Sequence, residues 1–313
     1  MPAGDQRRLS TGLPRPAERG MTATVVVLDA PLMRLHLRYR HAFILLLVYV
    51  ALAMAVMIAL FPVFWMMSSS LKPGPELFAR DMTLLPVNWT FDNYRNVWSN
   101  TNFPRYFWNS FQVAALSTLF SVIIATYAAY ALARIRFRGR YAFGLLMLVT
   151  QMFPHILLVL PLFLIIQRIG LLNTHAALIV AYTAFSLPFT IWLLRGFFEA
   201  IPEELEEAAA IDGASQLTTL HRIVLPLAGP GLAAVVMFGF IRGWNEFLFA
   251  LVFLQSRELF TLPIGLANFQ EEYTFRWDLI MAGAGIITLP VLLLFLLMQR
   301  FIVQGLLGGA VKG

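Results

Sequence analysis

Arg242 and Glu246 stand four residues apart inside the apolar stretch Gly231–Leu254, a spacing that puts both on one face of a continuous helix. Charged side chains at membrane depth are costly and mark functional positions by default. The simplest chemistry open to this pair is to neutralise each other or a residue of a partner subunit. Between them, Trp244 and Asn245 offer an apolar stacking face and a polar edge, which suit a polyhydroxylated ligand such as a sugar, although Trp244 serves a packing interface equally well. Asn109, Gln112, Gln151 and Ser186 are further polar residues within apolar stretches that have the same capacity to line a path. His155 is a lone histidine in such a stretch, which suits a structural hydrogen bond better than a ligand role.

A second constellation lies in the window 199–212, where Glu199, Glu203, Glu204, Glu206, Glu207 and Asp212 occur without a base. Removing these six acids leaves 23 Lys+Arg against 11 acids, so the net charge of +6 hides a strongly basic remainder. Pro202 suits a first helical turn, the glutamates favour the positive end of the helix dipole, and Ala208–Ala210 are strong helix formers. A helix over about Pro202–Ile211 is therefore predicted. Gly213 supplies the left-handed residue that ends it, and Ser215 or Gln216 begins a second helix that runs to a stop at Leu225-Pro226. A surface-seeking amphipathic loop would use Lys and Arg against anionic lipid, so this acidic segment suits a basic protein partner. Its small residues leave room for a partner groove to approach the backbone.

Other chemistries are missing. There is no cysteine, which removes disulfides, thiolate metal sites and cysteine nucleophiles. The only lysines are Lys72 and Lys312, and neither closes a G-x4-G-K-[ST] phosphate loop, so ATP must be handled by another chain. No HExxH or GxSxG occurs, nor a carboxylate cluster within an apolar stretch.

The elements that must position these residues are membrane helices. The 313 residues are 59% apolar and 13% charged, with mean hydropathy +0.73. An ordinary soluble domain carries about 25% charged residues, so a water-soluble enzyme is excluded. Nucleic-acid binding is excluded for the same reason, since it needs a water-facing basic surface. Six apolar stretches are read as spans, each near the ~20 residues that cross a bilayer core: Phe43–Met67, Asn109–Ala133, Tyr141–Ile166, Ala177–Leu194, Gly231–Leu254 and Leu279–Met298. Their continuity argues for helices over barrel strands. Pro62, Pro154, Pro161, Pro188 and Pro290 fall within them, either as ordinary membrane-helix prolines or as kinks that shape a pathway.

The link Arg134–Arg140, "RIRFRGR", and the N-terminal tail carry four and seven arginines, which places both on the cytoplasmic side, with both termini inside. The loops assigned outside, about Ser68–Trp108, Gln167–Ala176 and Gln255–Asp278, hold seven Lys/Arg against fifteen inside. Membrane lipid is thus the first partner. The expected organisation is a cytoplasmic tail over 1–42, with Met1 or Met21 as start, a six-span domain over 43–303 and a cytoplasmic tail over 304–313. The fold class expected is all-α integral membrane, with a two-helix cytoplasmic loop between spans four and five, about 199–230.

"EAAAIDG" from Glu207 to Gly213, nine residues, then "IVLP" from Ile223 to Pro226 resembles the EAA signature, E-A-A-x3-G-x9-I-x-L-P, of permease subunits of bacterial ABC importers. The spacing agrees in full. "FDNYRNVW", "RGWNEFLFAL", "TLPIGLANF" and "RFIVQGLLGGAVKG" are similar to the carbohydrate-uptake branch, in particular the second permease subunit of maltose- and trehalose-type systems, over about 43–313. The resemblance implies an inner-membrane subunit without catalysis of its own. It would work with a second permease subunit, two copies of a cytoplasmic ATPase that carry ATP and Mg, and an external solute-binding protein. It further implies that Glu207 contacts the ATPase, that Ala208 and Ala209 form the close-packed face, that Gly213 is the bend, and that Ile223, Leu225 and Pro226 anchor the loop to the fifth span. The tail "GGAVKG" would extend toward the ATPase. Trp244, Asn245, Glu246, Asn109 and Gln151 are the candidates for the sugar path. The rival readings are a secondary carrier or channel with Arg242 and Glu246 in an ion path, or a membrane-embedded enzyme, for which convergent catalytic residues are lacking.

Overall fold

The computed structural model describes residues 31–81, 83–272 and 276–310, with side chains described over 43–301 apart from 82 and 270–275. Among these residues all regular structure is helical. The chain divides into two compact units, up to Ala59 and from Leu60 onward. The first contributes most of α1 (Pro31–Ser70). The Phe43–Ser70 part of this helix has mean hydropathy 3.0 and nothing buried in its most apolar window, as suits a helix sheathed in lipid.

The second unit holds α2 (Gly74–Leu77), α3 (Asp92–Ser99), α4 (Phe103–Arg134), α5 (Arg140–Gln151), α6 (His155–Arg168) and α7 (His175–Glu199). The acidic segment follows as α8 (Glu204–Ile211), α9 (Gln216–Thr219), a π turn over Leu220–Val224 and α10 (Leu225–Leu227). Then come α11 (Gly229–Trp244), α12 (Leu248–Phe253), α13 (Leu262–Glu272) and α14 (Trp277–Ala310).

Helices α4 and α7 form the centre and pack along their lengths. Their contact is lined with small hydroxyl residues. Ser186 Oγ donates to Ser121 Oγ at 2.9 Å, and Thr183 Oγ1 donates to the Ser117 carbonyl at 3.3 Å. This is how membrane helices associate when burial of apolar surface supplies little drive: small residues let the backbones approach, and polar side chains pair across the contact. Around this centre, Trp244 packs with Phe103, Tyr106 and Phe240, while Tyr182 packs with Phe249 and Phe253. A third cluster, with Tyr130, Leu194, Phe198, Leu220 and Val224, lies under the acidic segment.

Four helices are long and apolar enough to cross a membrane, Phe43–Ser70, Phe103–Arg134, His175–Glu199 and Trp277–Phe301, or up to six if each of two bent pairs is one span. The expected continuous span Tyr141–Ile166 is instead α5 and α6, bent by 99° at 152–154. Pro154 lacks the N–H that would continue the ladder and restricts the residue before it. The expected span Gly231–Leu254 is also interrupted, by 245–247 between α11 and α12, and a separate 80° bend divides α10 from α11 at Ala228. The expected loop Ser68–Trp108 is shorter than read, because α1 reaches Ser70 and α4 starts at Phe103. Asn93 ties α3 to the end of α1 by donating to the carbonyls of Ser70 and Lys72, both at 2.8 Å. Glu76 accepts backbone N–H groups from Val87 at 2.7 Å and Asn88 at 3.1 Å, and the Val87 bond above all holds this carboxyl below its usual range. The helix expected from Pro202 begins at Glu204.

Candidate functional site

The two interruptions that the hydropathy pattern conceals meet at one place. A cavity of about 180 Å³ is lined by Ser117 of α4, His155 at the start of α6, Tyr182, Phe185 and Ser186 of α7, Gly239, Arg242 and Gly243 of α11, Glu246, and Leu248 and Phe249 of α12. His155, directly after the first break, and Glu246, within the second, both line this cavity, whereas Met152, Phe153, Pro154 and Asn245 are exposed.

Glu246 lies beyond the end of α11, in the non-helical link. Its carboxylate accepts the Phe249 N–H on one oxygen at 2.9 Å, and the Ala250 N–H at 3.2 Å with the Tyr182 hydroxyl on the other. It therefore satisfies the first turn of α12 and ties it to α7. Arg242 turns elsewhere: its Nη2 lies 3.1 Å from His155 Nε2. Nδ1 of the same ring is 3.5 Å away, and since arginine has no acceptor the imidazole accepts in this contact. The His155 ring packs edgewise on Phe185, 5.0 Å between centroids, and Phe185 stacks on Phe249 at 4.9 Å. Gly243 is a point of close approach: a Cβ there would meet Ala114 Cα at 3.2 Å and Ser117 Oγ at 3.3 Å.

Of the residues expected to line a path, Glu246 and Ser186 line this cavity. Gln151 is adjacent, its Nε2 donating to the Phe185 carbonyl at 3.3 Å. Trp244 is 1% exposed, stacked on Phe240 at 5.5 Å and donating Nε1–H to the Ile287 carbonyl at 3.2 Å, so it braces α11 against α14. Asn245 is exposed and turns back on the Ile241 carbonyl. Asn109 clamps the segment before α13 by donating to the carbonyls of Glu258 and Phe260, both at 2.9 Å. The sequence reading passed over Tyr182. It also gave His155 only a structural role, because the break that brings it to Arg242 is a tertiary feature.

The acidic segment is a second site. Gly213 has φ +81°, the left-handed region that few other residues enter cheaply, and the chain turns there between α8 and α9. Ser215 caps α9 by accepting the Thr218 N–H at 3.3 Å. Glu206 is the anchor. It accepts from Arg134 Nε at 2.6 Å and from the Tyr130 hydroxyl at 2.7 Å, while Arg134 Nη2 donates to the carbonyls of Phe198 at 2.9 Å and Ile201 at 2.8 Å. The side chains of Arg134 and Glu206 are 11% and 13% exposed, so the pair is largely shielded from water. Glu203 reaches Arg134 at 4.0 Å, and Glu199 accepts from Arg140 at 2.9 Å and Arg195 at 2.8 Å. Three of the six acids are thus answered within the chain, each by Arg134 or Arg140 of the "RIRFRGR" link. Glu204, Glu207 and Asp212 remain exposed. Ala208 and Gly213 are exposed too, Ala209 is buried, Ile223 is partly buried, Leu225 is partly buried against the core, and Pro226 is exposed. The tail residues 311–313 lie outside the described residues, as does the N-terminal segment before Pro31. Among the described residues no group of three or more His, Asp or Glu is placed to hold a metal ion.

An all-helical membrane body with broken helices around a charged cavity, and an acidic helix clamped to α4 by an ion pair, defines a transport subunit. The family model for the binding-protein-dependent transport system inner membrane component matches residues 121–308, and the chain belongs to that family. It is 41% identical over 272 residues to the trehalose/maltose transport system permease protein MalG of Thermococcus litoralis, covering 86% of this chain and 97% of the relative. It is 40% identical over 267 residues to the inner membrane ABC transporter permease protein YcjP of Escherichia coli K12, covering 85% and 95%. Among solved structures, a chain of a bacterial ABC transporter involved in the import of the acidic polysaccharide alginate superposes with TM-score 0.73 at 26% identity, covering 83% of this chain and 96% of that one. The protein is a multi-pass permease subunit of a sugar ABC importer rather than an enzyme.

Proposed function

We propose that this subunit forms half of the translocation pathway for a disaccharide or oligosaccharide and couples it to a separate ATPase through the segment 199–230. In this reading the membrane domain covers 43–303 with six spans, each bent pair counting as one, and both termini are cytoplasmic. The pathway half is the cavity between α6, α7, α11 and α12. Its volume of about 180 Å³ is below the ~300 Å³ of a complete ligand site, which fits a chamber that a second permease subunit completes. Glu207 and Ala208 present the exposed face of α8 to the ATPase, Gly213 sets the turn, and Ile223, Leu225 and Pro226 join the segment to α11. Two ATPase copies carry ATP and Mg, and an external solute-binding protein delivers the sugar.

The observation that carries the coupling role is the Arg134–Glu206 clamp. A loop that merely spans a gap has no need of a shielded ion pair with two further carbonyl bonds, whereas a loop that must pass a displacement to α4 and α7 does. The test is to assemble the complex with Glu207→Lys or with Gly213→Pro and to measure ATP hydrolysis and sugar uptake together. Both variants are expected to insert and fold while hydrolysis no longer drives uptake. Normal uptake by both would remove the coupling assignment.

A further inference from the structure

Among the described residues, the Arg242 guanidinium makes no direct contact with an anion. Glu246 is fully engaged by Tyr182, Phe249 and Ala250, and among the described residues no carboxylate lies within 4.0 Å of Arg242. His155 occupies Nη2 as a neutral acceptor and brings no negative charge. Arg242 is about 20 Å along α11 from Gly229, at 1.5 Å per residue, well inside a bilayer core of roughly 30 Å. Glu246 in the same cavity attracts Arg242 through space without touching it. A guanidinium at that depth whose N–H groups meet no anion directly marks a functional position. The rest of the guanidinium fork is free of protein acceptors, beside Phe185 and Phe249, whose stacked rings supply an apolar wall. Gly239 and Gly243 on the same helix add no side-chain bulk to the cavity.

We propose that Arg242 binds an acidic sugar, one ring of the saccharide carrying a single oxyanion, a uronate carboxylate or a sugar sulfonate. The planar fork offers two parallel N–H groups to such an anion, a match that a neutral hydroxyl does not make. A chamber of about 180 Å³ admits one ring at a time. The inference rests on the reading that this chain lines a sugar pathway, and it names the substrate class of that same cavity.

The chain has no cysteine, so Ser186→Cys places a single reporter thiol in the cavity wall. In the full complex, thiol labelling of this subunit's own peptide is followed by mass spectrometry while galacturonate or galactose is added as probe. Galacturonate is expected to slow labelling at a concentration about tenfold below that of galactose, the size of one charge-assisted hydrogen bond. In the same background Arg242→Gln abolishes the difference, and Arg242→Lys keeps its sign at reduced size. Equal protection by the two sugars overturns the proposal, and so does a preference that survives Arg242→Gln. If Arg242 instead pairs with a carboxylate of the neighbouring subunit, the sugars protect alike and Arg242→Gln lowers recovery of the assembled complex, which also overturns it. ATP-driven uptake by the complex reports separately on the underlying reading. Uptake of neutral sugars without galacturonate preference removes this inference alone, whereas absence of any sugar uptake removes the reading beneath it.

Discussion

The acidic segment and the membrane cavity hold their charges in opposite ways. Where α8 meets the end of α4, Arg134 and Glu206 join directly at 2.6 Å, although 72 residues separate them. In the cavity, Arg242 and Glu246 are four residues apart and go to different partners, one to His155 and the other to Tyr182 and the start of α12. The spacing rule for helix faces holds only while the helix continues, and α11 stops at Trp244. The comparison separates two uses of charge: the loop spends its ion pair on fixing an element, and the cavity keeps a guanidinium available.

The largest effect is expected from the clamp. Glu206→Ala leaves the shielded Arg134 with only the exposed Glu203 at 4.0 Å, which costs about 3–5 kcal/mol. Thermal unfolding of the purified complex together with protease cleavage within 199–230 should show the loop released first. Leu substitutions at both Arg134 and Glu206 should restore much of that loss, and a double-mutant cycle reads the coupling between them. Next to the cavity, Trp244→Ala removes a buried ring between α11 and α14 and should lower stability by about 3–5 kcal/mol, most of it local to the 240–290 region. Its neighbour Asn245 is exposed, and Asn245→Ala should change stability by less than about 0.5 kcal/mol. Equal effects at these two positions would contradict the packing role of Trp244.

Tyr182→Phe deletes one donor to the Glu246 carboxylate and should cost about 1.5–3 kcal/mol, seen as faster hydrogen exchange in α12. Little change there would mean that the backbone N–H groups of Phe249 and Ala250 suffice. Smaller losses than these are expected at the turn. Gly213→Ala forces a methyl group into left-handed backbone with open space around it, for about 1–2 kcal/mol. Ser215→Ala, which removes the cap of α9, should cost about 1 kcal/mol by the same thermal measurement.

Much of this was legible in the residue order. The acidic helix, its end at Gly213 and the restart at Ser215 follow from local chemistry that is settled within one or two turns. The apolar runs marked where helices must lie. The 99° bend at 152–154 was signalled by Pro154 but not determined by it, because Pro62, Pro161, Pro188 and Pro290 lie inside helices that continue. A proline removes one hydrogen bond in every case; whether the chain then turns depends on what its freed groups meet. The arginines of the "RIRFRGR" link were read as markers of orientation, and two of them also answer Glu206 and Glu199 across the fold.

By itself the sequence determined that this protein lives in a membrane, carries no phosphate loop and presents a capped acidic turn, since hydropathy, motif spacing and helix termini are local properties. Only the tertiary structure decided which charges are spent and which are kept. That outcome depends on distances between α4 and α8, and between α6 and α11, that no spacing along the chain encodes. The arginine next to a glutamate in sequence is left facing a cavity, while the arginine far from one is paired.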